Sequence, residues 1–245
     1  MPSLLRKCAR ILRHFASTRA VEVLALQASP ILGSFLGGYS VQRSGTLPIG
    51  LLLLGSCLLT AHIFVFNDWA GYHSDGRDPL RALLVASRQD IRRREVAYVA
   101  FALLILAFAT LAAVSLRALF LGAAIAALGF LYSASPVFGK STPIAASLNH
   151  LIGGTLHFLL GYTLAHAFDA NGVWVGAFFG LVFAAGHLNQ EVRDYKGDLR
   201  NGIRTSAVAF GKQRAFIAST FTFTAAYAML TALAAFDILP RLLLL

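Results

Sequence analysis

The chain has 245 residues, a formal net charge of +10, 57% hydrophobic residues and 13% charged ones. Soluble domains run to about 45–50% apolar and about 25% charged, so this composition excludes an ordinary soluble enzyme and points to lipid. The two cysteines, Cys8 and Cys57, exclude a disulfide framework and have no metal-binding spacing.

Residues 4–15 put Leu4, Leu5, Cys8, Ile11, Leu12 and Phe15 on one helical side, with Arg6, Lys7, Arg10 and Arg13 largely on the other. That is the pattern of a helix lying flat on a membrane surface. Residues 1–19 are therefore expected to form a cytoplasmic amphipathic segment ahead of a single transmembrane domain, 20–245. No cleavable signal peptide is expected, because the first long apolar window starts after residue 20.

Seven windows free of Asp, Glu, Lys and Arg follow: 23–42, 44–67, 96–116, 118–139, 141–168, 170–190 and 215–236. Each reaches the roughly 20 residues that a helix needs to cross the hydrocarbon core. The fold class predicted is all-α, a polytopic bundle of about seven transmembrane helices with a short C-terminal stub. Pro30 should kink the first helix. Gly33-x-x-x-Gly37 in the first window and Gly176-x-x-x-Gly180 in the sixth permit close helix approach. Trp69 and Trp174 stand where interface anchors do.

The charge fixes an orientation. With the N-terminus in the cytoplasm and the helices alternating, all 21 basic residues except Arg43, Arg117 and Arg241 lie on the inner side. The positive balance is then a topology signal with some attraction for anionic lipid or substrate, and nucleic acid is not expected as a partner. The long connections, 68–95, 132–143 and 191–213, are all inner ones. They hold Asp68, Asp75, Asp78, Asp90, Glu95, Glu191, Asp194 and Asp198. Chemistry is therefore expected at the cytoplasmic edge.

Two acidic stretches close apolar runs. Residues 67–75 read N-D-W-A-G-Y-H-S-D, and Asp68 and Asp75, seven apart, share a helical face with Asn67 adding a neutral oxygen. Residues 191–198 read E-V-R-D-Y-K-G-D, with Glu191, Asp194 and Asp198 at i, i+3 and i+7, on one face of a helix. Stacked carboxylates repel one another unless a cation sits among them. Hard oxygen donors of this kind suit Mg²⁺, which keeps waters and phosphate oxygens in its remaining positions. The expectation is that the two stretches face each other and grip a divalent metal. The competing reading is of ordinary solvated charges paired with neighbours such as Arg77 and Arg81.

The first stretch resembles the N-D-x-x-D-x-x-x-D motif of the UbiA superfamily of intramembrane prenyltransferases, and the second its D-x-x-D-x-x-x-D motif. Gly202-Ile203-Arg204-Thr205 and Gly211 are similar to that family's continuation, and Tyr132-Ser-Ala-Ser-Pro136 with Lys140 to its loop between helices 4 and 5. The resemblance spans roughly residues 20 to 236. It implies transfer of a prenyl group from a prenyl diphosphate to a lipophilic, commonly aromatic, acceptor, with Mg²⁺ bridging diphosphate and acids. It implies Asn67, Asp68 and Asp75 at a first metal, and Asp194 and Asp198 with Glu191 at a second. Lys140 would contact the diphosphate with help from Arg77 or Arg204, and Tyr132 would be a structural partner. Asn149 and His150, toward the inner end of the fifth helix, and His187, one turn before Glu191, are candidates for the acceptor pocket. Packing is the other reading of these histidines.

The sequence departs from the family pattern in three places. Gly71 stands where the first motif has its middle Asp, and Glu191 replaces an Asp. The family pattern also implies nine helices where seven apolar windows are read. Two rivals follow from other classes: an inactive relative serving as a binding or assembly subunit, and a polytopic transporter. A transporter should place ionisable groups near the bilayer midplane, whereas the acids here cluster at one edge.

Overall fold

The computed structural model describes residues 2–72 and 92–244, with side chains from residue 4 onward. Asp75 and Arg77 lie outside the described residues. The helices, in chain order, are α1 (Pro2–Leu26), α2 (Ala28–Leu36), α3 (Val41–Ser44), α4 (Leu47–Ala70), α5 (Arg93–Val114), α6 (Leu116–Ala134), α7 (Ala145–Tyr162), α8 (Ala170–Arg200), α9 (Ser206–Phe210) and α10 (Lys212–Ala235), followed by a 3₁₀ turn, Arg241–Leu244. No strand occurs among the described residues. The all-α bundle is as expected. Among the described residues α4, α5, α6, α8 and α10 are long and apolar enough to cross a bilayer.

Two of the seven windows fold differently. The first is divided: α1 runs without interruption past residue 20 to Leu26, and α2 begins at Ala28. Pro30 explains the position of the break. A proline lacks the amide proton and its ring clashes with the carbonyl four residues back, which is that of Leu26. Gln27 closes the break with its amide on Leu24 O at 3.0 Å. The fifth window yields α7, only 18 residues long, whose Ser147, Asn149, His150 and His157 lower its apolar character.

The chain divides into two compact units. The first comprises residues 1–28 and 45–135, so its helices are α1, α4, α5 and α6. Leu111 of α5 is fully buried, and its side chain fills the space that a Cβ on Gly55 or Gly122 would need. Small residues on α4 and α6 thus make the hole for one large knob, as membrane helix packing favours. His62 Nδ1 contacts Ala100 O at 2.8 Å, tying α4 to α5. At the start of α5, Glu95 Oε2 accepts the Arg92 amide at 2.8 Å and Oε1 meets Lys7 Nζ at 3.1 Å. Glu95 thereby caps its own helix and fastens α1, with Ile11 of α1 buried beside Val96 and Val99.

The second unit comprises residues 29–44 and 136–245. A Cβ on Gly33 would meet Phe158 O, one on Gly37 would meet Tyr162 O, and one on Gly161 would meet Pro30 O. The α2 and α7 backbones are therefore in contact, which side chains at these positions would prevent. Gly180 of α8 packs in the same way on Leu151 O and Thr155 Oγ1 of α7, so both glycine spacings act in packing. Asp169 caps α8 through the Gly172 amide at 2.8 Å and accepts Tyr162 OH at 3.2 Å. Ser219 Oγ donates to Ala185 O at 2.8 Å, fastening α10 to α8.

Candidate functional site

Each unit carries one of the acidic stretches, at a helix end. In the first unit, Asn67 and Asp68 occupy the last turn of α4 and are half-buried. The helix stops at Gly71, whose amide bonds Asn67 O at 2.8 Å. Gly71 has φ −81°, a conformation open to any residue, so backbone geometry does not demand glycine where the motif has Asp. Trp69 stacks on Phe66 with ring centroids 5.2 Å apart. The Arg93 guanidinium lies 4.1 Å from the Trp69 ring centroid, and its Nε donates to Trp69 O at 3.2 Å. A cation–π contact and a carbonyl cap together hold this helix end still. Asn67 Oδ1 is buried with no hydrogen-bond partner among the described residues. A buried acceptor with no donor is costly unless a ligand completes it.

In the second unit, α8 has 31 residues, roughly 46 Å of helix against a hydrocarbon core of about 30 Å. Its last turns leave the apolar run and carry Glu191, Asp194 and Asp198. The segment 191–213, expected as a connecting loop, is thus helical to Arg200 and again in α9 and α10. Gly202, at φ +68°, ends α8: the Ile203 amide returns to Asp198 O at 2.9 Å, a closure that glycine favours. Thr205 then caps α9 by accepting the Val208 amide at 3.4 Å. Gly211, at φ +92°, joins α9 to α10. The residues after the acidic stretch are therefore a stop, a cap and a hinge, and a Gly-x-x-Thr-Ser pattern is the sequence signal for the small α9.

Asp194 and Asp198 are half-exposed, and Arg193 Nε donates to Asp194 Oδ1 at 3.1 Å. Glu191 differs. It is 4% exposed and its Oε2 accepts the Ala207 amide at 3.2 Å. Its Oε1 lies 3.7 Å from His187 Nε2. His187 stacks on His150 with centroids 3.9 Å apart and 22° between planes. His150 Nδ1 contacts Ala146 O at 2.8 Å, and His187 Nδ1 faces Ser147 Oγ at 3.4 Å. The His150–His187 stack, which spacing along the chain does not reveal, ties α7 to α8. Asn149 is half-buried one residue before it.

Lys140 is half-buried in the turn before α7, and Arg204 is exposed just before α9. Tyr132 belongs to the first unit, half-buried near the end of α6. Among the described residues no three of His, Cys, Asp and Glu gather closely enough to hold a metal ion by themselves. In each unit taken by itself the donors fit a hard ion that keeps waters and phosphate oxygens as most of its ligands: an orphaned amide oxygen beside one carboxylate in the first, and two half-exposed, acceptor-only carboxylates one turn apart in the second.

The sequence matches the UbiA prenyltransferase family over residues 30–245. A search of curated proteins finds no match. Among solved structures, a UbiA homolog from Archaeoglobus fulgidus bound to DMAPP and Mg²⁺ superposes with a TM-score of 0.77 at 21% identity, covering 91% of this chain and 78% of that one. The same homolog bound to GPP and Mg²⁺ gives a TM-score of 0.76 at 21% identity, with the same coverage of 91% and 78%. Its Cd²⁺-bound form gives 0.71 at 22% identity, covering 91% and 77%.

Proposed function

The chain belongs to the UbiA prenyltransferase family, and from that premise we propose that it is a Mg²⁺-dependent membrane prenyltransferase. Its donor is a prenyl diphosphate and its acceptor a lipophilic or aromatic molecule. The observation that carries this reading is Asn67 Oδ1, buried without a partner among the described residues at the acid-bearing end of α4. It is an oxygen for which a cation would compensate.

Asn67, Asp68 and Asp75 are proposed to hold one Mg²⁺, and Asp194 and Asp198 another. When bound, the ions neutralise charge building on the departing diphosphate. Lys140 and Arg204, with Arg77, contribute further positive charge to the diphosphate oxygens. In the reaction the bond between the prenyl C1 and the diphosphate oxygen breaks. The acceptor's nucleophilic atom forms the new bond to C1 and loses a proton. Apolar helices shield the allylic carbon from water. The active side is cytoplasmic by the distribution of basic residues, and a bacterial inner membrane is the proposed setting.

The test is incubation of detergent-purified protein with labelled prenyl diphosphates and Mg²⁺, with and without EDTA. Diphosphate release that stops with EDTA and returns with added Mg²⁺ is expected. Tight donor binding without any release would instead make the chain an inactive relative. Neither binding nor release with any donor would remove the enzyme reading.

A further inference from the structure

Glu191 belongs to the expected ligand set, yet its surroundings give it another task. Asp198 sits nearly two helical turns further along the same stripe, about 10 Å along the axis. Depth therefore separates the buried Glu191 from the half-exposed Asp194 and Asp198. Glu191 Oε2 accepts the Ala207 amide at 3.2 Å, which ties the start of α9 to α8, while its Oε1 is buried with no hydrogen-bond partner among the described residues. Ser206 Oγ in turn accepts the Ile144 amide at 3.3 Å. Ile144 stands at φ +69° and ψ −49°, a conformation that a β-branched residue adopts only where its surroundings impose it. It closes the turn that begins with Lys140.

We infer that Glu191 is a positioning residue: by holding the Ala207 amide at the start of α9, whose Ser206 Oγ holds the Ile144 amide, it fixes the Lys140 turn and the start of α9, beside Arg204, onto the helix that bears Asp194 and Asp198. The hydrogen bond from the Ala207 amide holds the buried carboxyl group where it is. Removing its carboxyl group would leave the buried amide of Ala207 without an acceptor, a loss as large as many whole interactions. The inference rests on the reading of Asp194, Asp198 and Lys140 given above, and it names the residue that keeps acids and cations in one frame.

The experiment compares wild type, E191Q, E191A, S206A and D194N in detergent by two readouts. The first is the thermal midpoint without ligand. E191A should lower it by roughly 4–8 °C and S206A by less, while D194N leaves it within about 2 °C. E191Q, whose amide oxygen still accepts from α9, should stay close to wild type. The second readout is the rise in midpoint on titration with Mg²⁺ and inorganic diphosphate. D194N should raise the Mg²⁺ concentration for half-effect about tenfold or more, and E191Q should leave it within about twofold. An E191Q titration that matches D194N overturns the inference, and so does an unchanged ligand-free midpoint in E191A. Should E191A not fold, S206A decides: a lowered midpoint supports the inference and an unchanged one overturns it. A wild type that does not respond to Mg²⁺ and diphosphate counts against the prenyltransferase reading alone, since the ligand-free arm still decides the role of Glu191.

Discussion

Gly153 and Gly154 are neighbours in α7, and replacing each by alanine should move stability in opposite directions. A Cβ on Gly153 meets nothing within 4 Å. A Cβ on Gly154 would sit 2.9 Å from Gly180 Cα and 2.9 Å from Phe183 Cγ, where real Cβ contacts do not occur. Both substitutions gain about 0.8–1 kcal/mol of helix propensity. At Gly154 overpacking opposes this by about 1–3 kcal/mol, because the nearest atom is backbone on the facing helix and cannot swing aside. G153A should therefore be more stable than wild type, and G154A less stable than G153A by about 1–3 kcal/mol, or roughly 2–12 °C in midpoint. The assay is thermal unfolding in detergent with a thiol-reactive dye, since Cys57 is partly buried within α4 and Cys8 within α1. His150 lies one turn before Gly154, so forcing α7 off α8 should also unstack His150 from His187 and lower turnover in G154A but not in G153A. A G154A protein as stable as G153A would refute the close approach of α7 and α8.

Three further outcomes follow from the same geometry. D194N and D198N should each raise the Mg²⁺ concentration needed for half-maximal diphosphate release by about tenfold or more; equal Mg²⁺ curves for wild type and both variants would remove these residues from the metal. K7M leaves the Glu95 carboxylate buried with the Arg92 amide as its remaining hydrogen bond, at a cost of about 1–3 kcal/mol in thermal or denaturant unfolding, and K7M/E95Q should recover part of that loss; strictly additive effects would mean that the pair does not interact. His150 is engaged by His187 and by Ala146 O, so H150A should lower the thermal midpoint and leave the acceptor KM unchanged; a raised acceptor KM at an unaltered midpoint would put His150 in the acceptor pocket instead.

What could be read in the chain and what could not divide along a physical line. Exclusion of charge from lipid is a one-dimensional constraint, so the apolar windows of α4, α5, α6, α8 and α10 were visible as runs of letters. Turn chemistry is local too: the kink expected at Pro30 is the break after Leu26, whereas the stop at Gly202 and the cap at Thr205 went unread although their signals are just as local. Polarity at 191–200 suggested a loop because hydropathy measures solvent, not backbone. The acid spacing of three and four residues was the better guide to the helix there. Pairings between distant segments left no such trace. Leu111 is one apolar residue among many until Gly55 and Gly122 make room for it, and His150 meets His187 across 37 positions of chain. Glu191 shows the limit most sharply. Its azimuth on the helix matches that of Asp198, and periodicity reports azimuth alone. What separates them is depth, and depth is set by the fold of the turn at Gly202, which brings the Ala207 amide of α9 back to the carboxylate. An acid's chemistry therefore depends on which donors arrive beside it: the Ala207 amide engages Glu191, while Asp194 and Asp198, beyond its reach, are the carboxylates proposed for a metal.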